Sequence, residues 1–377
     1  MNIIVVGAGW AGEHHVKAIQ ALQREGRDVS IAALVDTDHD HLAQCAASWG
    51  IKPTFTELKD ALADTNAEAV LLATPHHLHR AAAEAAAAGG RHVLVEKPMA
   101  LTLDDADAMI DACREAGVTL MVLESTRYQR GNLLIADALR RGAIGQVLSG
   151  RINRIGRGRH SYRYPGRRAW LADPHVCGGG IWMVNGIHLM SRARMFFGEV
   201  VRIDAREVHS DRFESPLEAT VVALVEFESG AVVTLTLSAE LHGYGRWGDL
   251  AIFGADGTLG MADRKADVIE IHREGRGEAE VVDCADVPRH GADGYFVRQI
   301  EEFLAAVADR RDPITSGVSE RASLAAVLAG YDSIRTGRPV SPDAPLLVGT
   351  SAPPDPAEYL AHARPLAVHQ DANTEQA

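Results

Sequence analysis

Short apolar runs alternate with alanine-rich amphipathic stretches through about the first 140 residues of the chain. The apolar runs are rich in β-branched residues and predict five strands: Ile3–Val6, Ile31–Val35, Ala69–Ala73, His92–Val95 and Thr119–Leu123. The stretches between them predict four helices: Trp10–Arg24, His39–Trp49, His77–Ala88 and Leu103–Ala116. Continuous apolar strands joined by helices are typical of a parallel sheet covered on both faces, so we predict a doubly wound Rossmann sheet.

The pattern changes after about residue 146, where longer runs alternate apolar and polar residues. Alternation with period two predicts an open, mostly antiparallel sheet with these strands: Val200–Val208, Thr220–Phe227, Ala231–Leu241, Leu250–Phe253 and Val268–His272. Turn signals at Glu228-Ser229-Gly230 and Ala255-Asp256-Gly257 separate consecutive strands, as hairpins require. Three helices are predicted in this second part: Ile181–Phe197, Tyr295–Asp309 and Ser319–Thr336.

Two domains and a tail follow from this division. We expect a Rossmann dinucleotide-binding domain over residues 1–124 and an α+β substrate-binding and oligomerisation domain over residues 125–338. A chain of 377 residues accommodates two domains of this size. The proline-rich tail, residues 339–377, is expected to be weakly structured and carries no assigned chemistry.

Charge and cysteine content exclude several classes of function. Lys and Arg total 38 against 51 Asp and Glu, a net charge of −13, which argues against nucleic-acid binding and against an anionic membrane surface. The four cysteines are scattered without a CxxC pair, as expected of reduced thiols. No apolar run reaches the roughly 18 residues of a membrane span, and no secretion signal precedes the first strand, so we expect a cytoplasmic enzyme.

A GxGxxG motif follows the first strand and opens the first helix, at Gly7-Ala8-Gly9-Trp10-Ala11-Gly12. The first glycine makes the tight turn, the second lets the backbone approach a pyrophosphate, and the third allows close packing of helix and strand. Trp10 and Ala11 lie at the helix N-terminus, where free N–H groups attract phosphate. In this context the motif predicts a dinucleotide site.

An acidic residue, Asp36, closes the second strand 24 residues after Gly12. Its carboxylate is suited to accept hydrogen bonds from the adenosine ribose hydroxyls and would repel a 2′-phosphate. No arginine follows directly, because the next residues are Thr37 and Asp38. We therefore expect NAD as the cofactor in preference to NADP.

Three further motifs carry a resemblance to a known family. They are Thr74-Pro75-His76-His77-Leu78-His79, Glu96-Lys97-Pro98, and Gly178-Gly179-Gly180 followed by Gly186-Ile187-His188. Together with the glycine motif, they resemble the glucose–fructose oxidoreductase and inositol dehydrogenase family (Gfo/Idh/MocA), from residue 2 to about residue 338. The resemblance implies a Rossmann domain plus an open antiparallel sheet whose face builds a homodimer or homotetramer.

The resemblance also assigns residues. Lys97 matches the active-site lysine, His188 matches a histidine that touches substrate, and Arg127 matches an arginine after the sixth strand, expected at the substrate. Five residues are expected at the cofactor in addition to the glycine motif and Asp36: Thr74, His76, His79, Glu96 and Lys97 itself.

One position departs from the family pattern. Most members carry an aspartate four residues before the substrate histidine, and here that position is Val184, which can neither accept nor donate a proton. Asn185, three residues before His188, can neighbour its ring without supplying a carboxylate charge.

The residues that remain are sufficient for the oxidation of an alcohol. Oxidising an alcohol requires removal of the hydroxyl proton and transfer of a hydride to the nicotinamide. Lys97 could act as the base if burial lowers its pKa, and His188 could either hydrogen-bond the same hydroxyl or be the base itself.

An arginine-rich segment leads into the triple glycine, with seven arginines between Arg151 and Arg168. Arg163, Arg167 or Arg168 could hold a carboxylate or phosphate of the substrate, since arginine binds such groups bidentately. A solvated loop or a subunit contact explains the segment equally well. Trp170 and Tyr244 are further candidates for the substrate pocket. The histidines near His76 lack partners at metal-ligand spacing, so no metal is expected.

These observations predict an NAD-dependent dehydrogenase acting on a secondary hydroxyl of a small molecule. Candidate substrates are a sugar, a sugar acid, a cyclitol or a cyclic diol, with or without a carboxylate. Two alternatives stay open: an enzyme that retains NAD and uses transient oxidation for elimination or glycoside cleavage, and a nucleotide-sensing binding protein without turnover.

Overall fold

The computed structural model describes six stretches of the 377-residue chain: residues 1–156, 166–208, 217–241, 250–261, 268–283 and 294–342. For residues 166–168 and 283 it describes the backbone alone. The predicted site residues Arg163 and Tyr244 lie outside the described residues, as do the side chains of Arg167 and Arg168 and most of the predicted tail.

The N-terminal part of the chain builds a six-stranded sheet in which every pair of neighbours is parallel. Its strands are β1 (Asn2–Val6), β2 (Ser30–Val35), β3 (Thr54–Phe55), β4 (Ala69–Leu72), β5 (His92–Glu96) and β6 (Leu120–Leu123). The order across the sheet is β3-β2-β1-β4-β5-β6, the Rossmann order, so the predicted parallel sheet is confirmed. The order reverses between β1 and β4, which creates a crevice at the carboxyl ends of these strands.

Helices connect these strands and pack against the sheet. They are α1 (Trp10–Arg24), α2 (His39–Trp49), α3 (Leu58–Asp64), α4 (His79–Ala88) and α5 (Leu103–Glu115). β4 is buried along its whole length, as continuous apolar sequence in a covered sheet requires. The predicted third helix divides, because a 3-10 turn over His76–Leu78 precedes α4.

After α6 (Arg130–Arg140) the chain enters an eight-stranded sheet with the order β14-β13-β12-β11-β7-β10-β9-β8. All neighbours are antiparallel except β7 and β10, which confirms the predicted mostly antiparallel sheet. The strands are β7 (Val147–Ile155), β8 (Val200–Glu207), β9 (Thr220–Phe227), β10 (Val232–Ser238), β11 (Leu250–Gly254), β12 (Gly257–Met261), β13 (Val268–Arg273) and β14 (Glu280–Asp283).

The remaining helical segments are α7 (Pro174–Cys177), a π-helical turn over Trp182–Gly186, α8 (Ile187–Phe197), α9 (Gly294–Asp309) and α10 (Gly317–Thr336). Of these, the π-helical turn, α8 and α10 contact strands of the second sheet. Trp182 is fully buried, and its indole N–H donates to the Val327 carbonyl at 2.8 Å. A side chain at Gly330 would overlap that indole, so glycine lets α10 pack directly on the ring.

The last two helices bind both parts of the molecule together. α9 packs on α1, and its Phe296 and Phe303 join an apolar cluster that includes Ile3 and Ile19 of the Rossmann part. Just before α10, Thr315 donates its hydroxyl to the Val122 carbonyl at 2.6 Å and accepts from the Val122 N–H through its own carbonyl at 2.8 Å. The C-terminal helical segment therefore packs directly against the Rossmann sheet and its first helix.

Candidate active site

The glycine motif forms a tight turn between β1 and α1. Gly7 has a φ of 101°, and a side chain there would overlap the Ala73 carbonyl at the end of β4. A side chain at Gly12 would overlap the Gly7 carbonyl, so helix and turn are in close contact. Gly9, by contrast, has no atom within 4 Å of where its side chain would be, which leaves room beside the helix N-terminus. This open cradle fits a pyrophosphate.

Asp36 lies at the end of β2 and is only 8% exposed. Its Oδ2 atom accepts the Ala8 N–H at 2.9 Å and its Oδ1 atom accepts the Asp38 N–H at 3.0 Å. The carboxylate thus connects the glycine turn to the second strand. Its place after β2, beside the glycine turn, fits the predicted contact with a ribose hydroxyl.

Thr74, just after β4, and His79, at the start of α4, differ in their hydrogen bonding. The Thr74 hydroxyl is buried and has no hydrogen-bond partner within the described residues, beside the Gly7 turn. Such an orphaned donor fits a bound dinucleotide. His79 is fully buried, with Nε2 3.0 Å from the Thr74 carbonyl and Nδ1 3.2 Å from the Pro98 carbonyl. His79 therefore holds the β4 and β5 loops together, and its direct contact with a cofactor stays a prediction.

His76 connects the Rossmann loop to the second domain. Its Nδ1 atom donates to the Cys177 carbonyl at 2.9 Å, which leaves Nε2 as an acceptor in the neutral ring. Burial, and next the neighbouring His79, hold the pKa of His76 well below its usual range. The Trp170 ring lies edge-on at 4.8 Å between ring centroids. The structure thus brings a predicted cofactor residue and a predicted substrate residue into contact.

Glu96 faces α1, beneath the crevice. Its Oε1 atom accepts from His15 Nε2 at 2.7 Å, and its Oε2 atom accepts from the Lys97 N–H at 3.1 Å. Burial raises the pKa of Glu96, but the hydrogen bond and charge of His15 and the charge of Lys97 outweigh it, so the net shift is downward. Glu96 therefore supplies a negative charge below Lys97.

Lys97 reaches from β5 into the second domain, where its Nζ atom donates to the Val184 carbonyl at 3.0 Å. Burial lowers its pKa, while the charges of Glu96 and Glu124 oppose that shift. The Val184 side chain packs in a small apolar cluster with Leu171 and Cys177. Val184, where the resemblance implies an aspartate, therefore still contacts the lysine through its backbone carbonyl.

His188, in the first turn of α8, is paired with a carboxylate that sequence reasoning missed. Its Nδ1 atom lies 2.7 Å from Oε1 and 2.8 Å from Oε2 of Glu124, which follows β6 directly. Burial lowers the pKa of His188 to about 4, against the opposing charge of Glu124. An acid directly after a fully apolar strand was a usable signal, because site residues gather at such strand ends.

Two other predicted substrate residues are buried. Arg127 donates from Nε to the Ser191 hydroxyl at 2.9 Å and lies 3.8 Å from Glu320, so it contributes to packing between α8 and α10. Asn185 is 2% exposed, and its amide nitrogen has no partner among the described side chains and backbone. For both, contact with a substrate stays a prediction.

A second positively charged side chain, Arg154, lies near Lys97 and the His188 ring. Arg154 on β7 lies close enough that its charge lowers the pKa of both. The described side chains contain no group of three or more His, Cys, Asp or Glu that could hold a metal ion. No helix within the described ranges is long and apolar enough to cross a membrane.

Comparison with known proteins places this site in a family. Residues 1–124 match the model of an oxidoreductase family with an NAD-binding Rossmann fold, and residues 133–260 match the GFO/IDH/MocA C-terminal domain. D-apiose dehydrogenase of Paraburkholderia graminis is 30% identical over 363 residues, 92% of each chain.

Two further relatives differ in cofactor and substrate. A D-xylose 1-dehydrogenase (NADP(+)) of Haloferax volcanii is 28% identical, over 89% of this chain and 98% of that protein. The WlbA dehydrogenase of Bordetella pertussis, solved with NADH and UDP-GlcNAcA, is 26% identical with a TM-score of 0.74, over 90% of this chain and 98% of the other.

Proposed function

The chain belongs to the Gfo/Idh/MocA oxidoreductase family, and from the geometry of its site we propose that it oxidises a secondary hydroxyl of a sugar, sugar acid, cyclitol or cyclic diol. One observation carries the proposal: Lys97 from β5 and the His188–Glu124 pair lie close enough to shift one another's pKa, at the carboxyl ends of the Rossmann strands. Ligands of open α/β sheets bind at such strand ends.

The residues divide the reaction between them. A bound nicotinamide supplies the hydride acceptor, and the glycine turn, Asp36 and Thr74 would hold the dinucleotide. Lys97 can donate to the substrate hydroxyl oxygen and stabilise the negative charge that develops there. His188 is neutral at physiological pH because burial lowers its pKa, so its Nε2 atom can take the hydroxyl proton.

A substrate screen tests the proposed activity. Purified protein is incubated with NAD⁺ and neutral sugars, inositols, uronic acids and cyclic diol acids, and absorbance at the NADH maximum is followed. We expect stoichiometric NADH formation with at least one class. Substrate consumption without net NADH would indicate an enzyme that recycles its cofactor, and binding without turnover would indicate a nucleotide sensor; either result contradicts the proposal.

We further propose that the substrate carries an anionic group, held by the arginines that lead into the triple glycine. Arg154 supports this, because its charge acts on both Lys97 and His188. The relative solved in complex with UDP-GlcNAcA, a ligand that carries a diphosphate, also favours it. Arg163, Arg167 and Arg168 are the further candidates on the same approach.

Exchange of each of these four arginines for methionine should reveal the anion site. A lost bidentate contact costs about 1.5–3 kcal/mol, so kcat/KM should fall roughly 10- to 150-fold on an acidic substrate and little on its neutral analogue. Arg202→Met, at an exposed ion pair with Glu226 on the second sheet, is the matched control. If the ratio of kcat/KM on the acidic substrate to kcat/KM on the neutral analogue is unchanged in all four variants, the proposed anion site is wrong.

Cofactor preference should follow Asp36. We propose that NAD⁺ binds at least about tenfold tighter than NADP⁺, a difference of about 1.4 kcal/mol, because the carboxylate repels a 2′-phosphate. The double change Asp36→Ser and Thr37→Arg should move the preference toward NADP⁺ in calorimetric titrations. Asp40→Asn, an exposed acid in the first turn of α2, controls for loss of charge. Equal affinities in the wild type would contradict the assignment, which matters because one relative uses NADP⁺.

We also propose a homodimer or homotetramer formed through the second sheet. Its outer face exposes Val222 and Leu224 on β9, Val232 on β10 and Phe253 on β11, each more than a third accessible. An apolar face of this kind favours association with a second copy. Light scattering of the wild type should give a multiple of 40.5 kDa, and Leu224→Glu should reduce it.

A further inference from the structure

We infer that Glu124 is a positioning residue of the reaction, which fixes the His188 ring so that its Nε2 atom meets the substrate hydroxyl as proton acceptor. The inference deepens the proposed function and rests on it. Glu124 itself touches neither substrate nor cofactor in this arrangement, since its side chain is fully buried.

The Glu124 carboxylate is held from two sides. Its Oε1 atom accepts the Thr126 N–H at 2.9 Å and the Thr126 hydroxyl at 2.6 Å, in the 3-10 turn that follows β6. Both oxygens face His188 Nδ1. A carboxylate surrounded by donors is in its ionised form, and its position is fixed before any ligand arrives.

Ionisation of Glu124 determines which nitrogen of His188 carries the proton. Burial raises the pKa of Glu124, but the charge and hydrogen bond of His188 and the two Thr126 donors outweigh it and bring the pKa to about 2. Because an ionised carboxylate only accepts, Nδ1 must donate, and the neutral ring then has its lone pair on Nε2.

The exposure of the two side chains indicates which edge of the His188 ring a substrate can reach. The His188 side chain is 10% exposed, whereas the Glu124 side chain has no exposure. Because Nδ1 faces the fully buried carboxylate, we infer that the accessible edge of the ring is the one away from Glu124, where Nε2 lies. When Nε2 takes the hydroxyl proton, the resulting imidazolium is paired with the carboxylate on its other side.

Glu124 thereby gives His188 a carboxylate partner, which Val184, the residue at the expected acidic position, cannot supply. The Val184 side chain packs among Leu171 and Cys177, so an acid placed there would face apolar neighbours. A negative charge from β6 also balances the cations around the site, since Lys97 and Arg154 both act on the His188 ring.

Kinetics of Glu124→Gln, which keeps the shape and removes the charge, test the inference. We expect kcat to fall about 10²-fold or more, with KM and the calorimetric Kd for NADH changed less than threefold. Glu302→Gln is the matched control, because Glu302 is 1% exposed and paired with Arg311 at 2.8 Å, away from the crevice. The control should lower Tm without lowering kcat.

A double-mutant cycle separates positioning from a merely structural role. If Glu124 acts through His188, then Glu124→Gln should cost nothing further in a His188→Ala background. Independent losses that multiply would overturn the inference. The acid limb of kcat/KM is a second readout: Glu124 raises the pKa of His188 while Lys97 and Arg154 lower it, so Glu124→Gln should move that limb to lower pH.

Nitrogen NMR of the His188 ring in the protein without substrate gives an answer independent of activity. We expect Nδ1 protonated and Nε2 unprotonated at neutral pH in the wild type, and a mixture of tautomers in Glu124→Gln. An Nε2-protonated wild type would overturn the inference even if the enzyme is active. A protein that shows the expected tautomer but oxidises no alcohol would refute the proposed function and leave the positioning of His188 standing.

Discussion

Replacing Lys97 with alanine should lower kcat about 10²- to 10⁴-fold while the Kd for NADH changes only a few-fold. The Lys97 ammonium donates a hydrogen bond to the Val184 carbonyl. Because the ammonium is buried, little water screens its charge from a substrate bound beside it. Loss of that charge removes stabilisation of the alkoxide that forms on the substrate, which exists only as the reaction proceeds. Stopped-flow measurement of NADH formation gives kcat, and calorimetry gives the binding constant.

Two controls make the Lys97 result specific. Lys59→Ala removes an exposed lysine from α3 and should leave kcat unchanged. Lys97→Met keeps much of the side-chain volume, so it distinguishes lost charge from a cavity between the two domains. If Lys97→Met retains near wild-type turnover on a verified substrate, the lysine has no part in the chemistry.

His188→Ala should lower kcat by a similar factor, about 10²- to 10⁴-fold, because the hydroxyl proton then lacks its acceptor. The pH profile supplies the sign of the effect. Since burial lowers the pKa of His188 to about 4, the wild-type ring is neutral and able to accept a proton at neutral pH. The kcat/KM of the wild type should therefore fall as the pH drops through about 4, because the protonated ring accepts nothing.

The His188 variant should lose that acid limb together with its turnover. His272→Ala, at a half-exposed position on β13, is the matched control and should keep both the rate and the profile. A His188→Ala enzyme with wild-type kcat, its folding verified by circular dichroism, would show that proton removal follows another route.

Most elements of the fold could be predicted from local sequence patterns, and those that were not predicted lack such a pattern. Apolar runs and the glycine motif predicted five of the six Rossmann strands and α1, but missed the two-residue strand β3 and the short helix α3 that follows it. β7 was missed because Arg151, Arg154 and Gly150 interrupt its apolar alternation, although Ile152 points into the core. The π-helical turn at Trp182–Gly186 was predicted as ordinary helix, since no sequence period distinguishes a single wide turn.

The site was predictable where its residues belong to continuous motifs. Lys97, His76 and the glycine turn lie at strand ends that the pattern located. Glu124 was missed because its partner His188 is 64 residues away in the sequence, and only folding reveals that they meet. Position 184 therefore read as a lost acid, whereas the structure brings a carboxylate to the same histidine from another element.

Because α9 packs on α1, the two parts of the molecule cannot be exchanged independently between relatives. Phe296 of α9 lies 4.9 Å from the His15 ring and 6.2 Å from the Trp10 ring, both on the helix that begins at the glycine turn. A chimera joined after residue 124 would thus replace the helix that backs its own nucleotide loop. Recombination between relatives should keep α1 and α9 from the same parent, even though all eight strands of the second sheet lie between them in the chain.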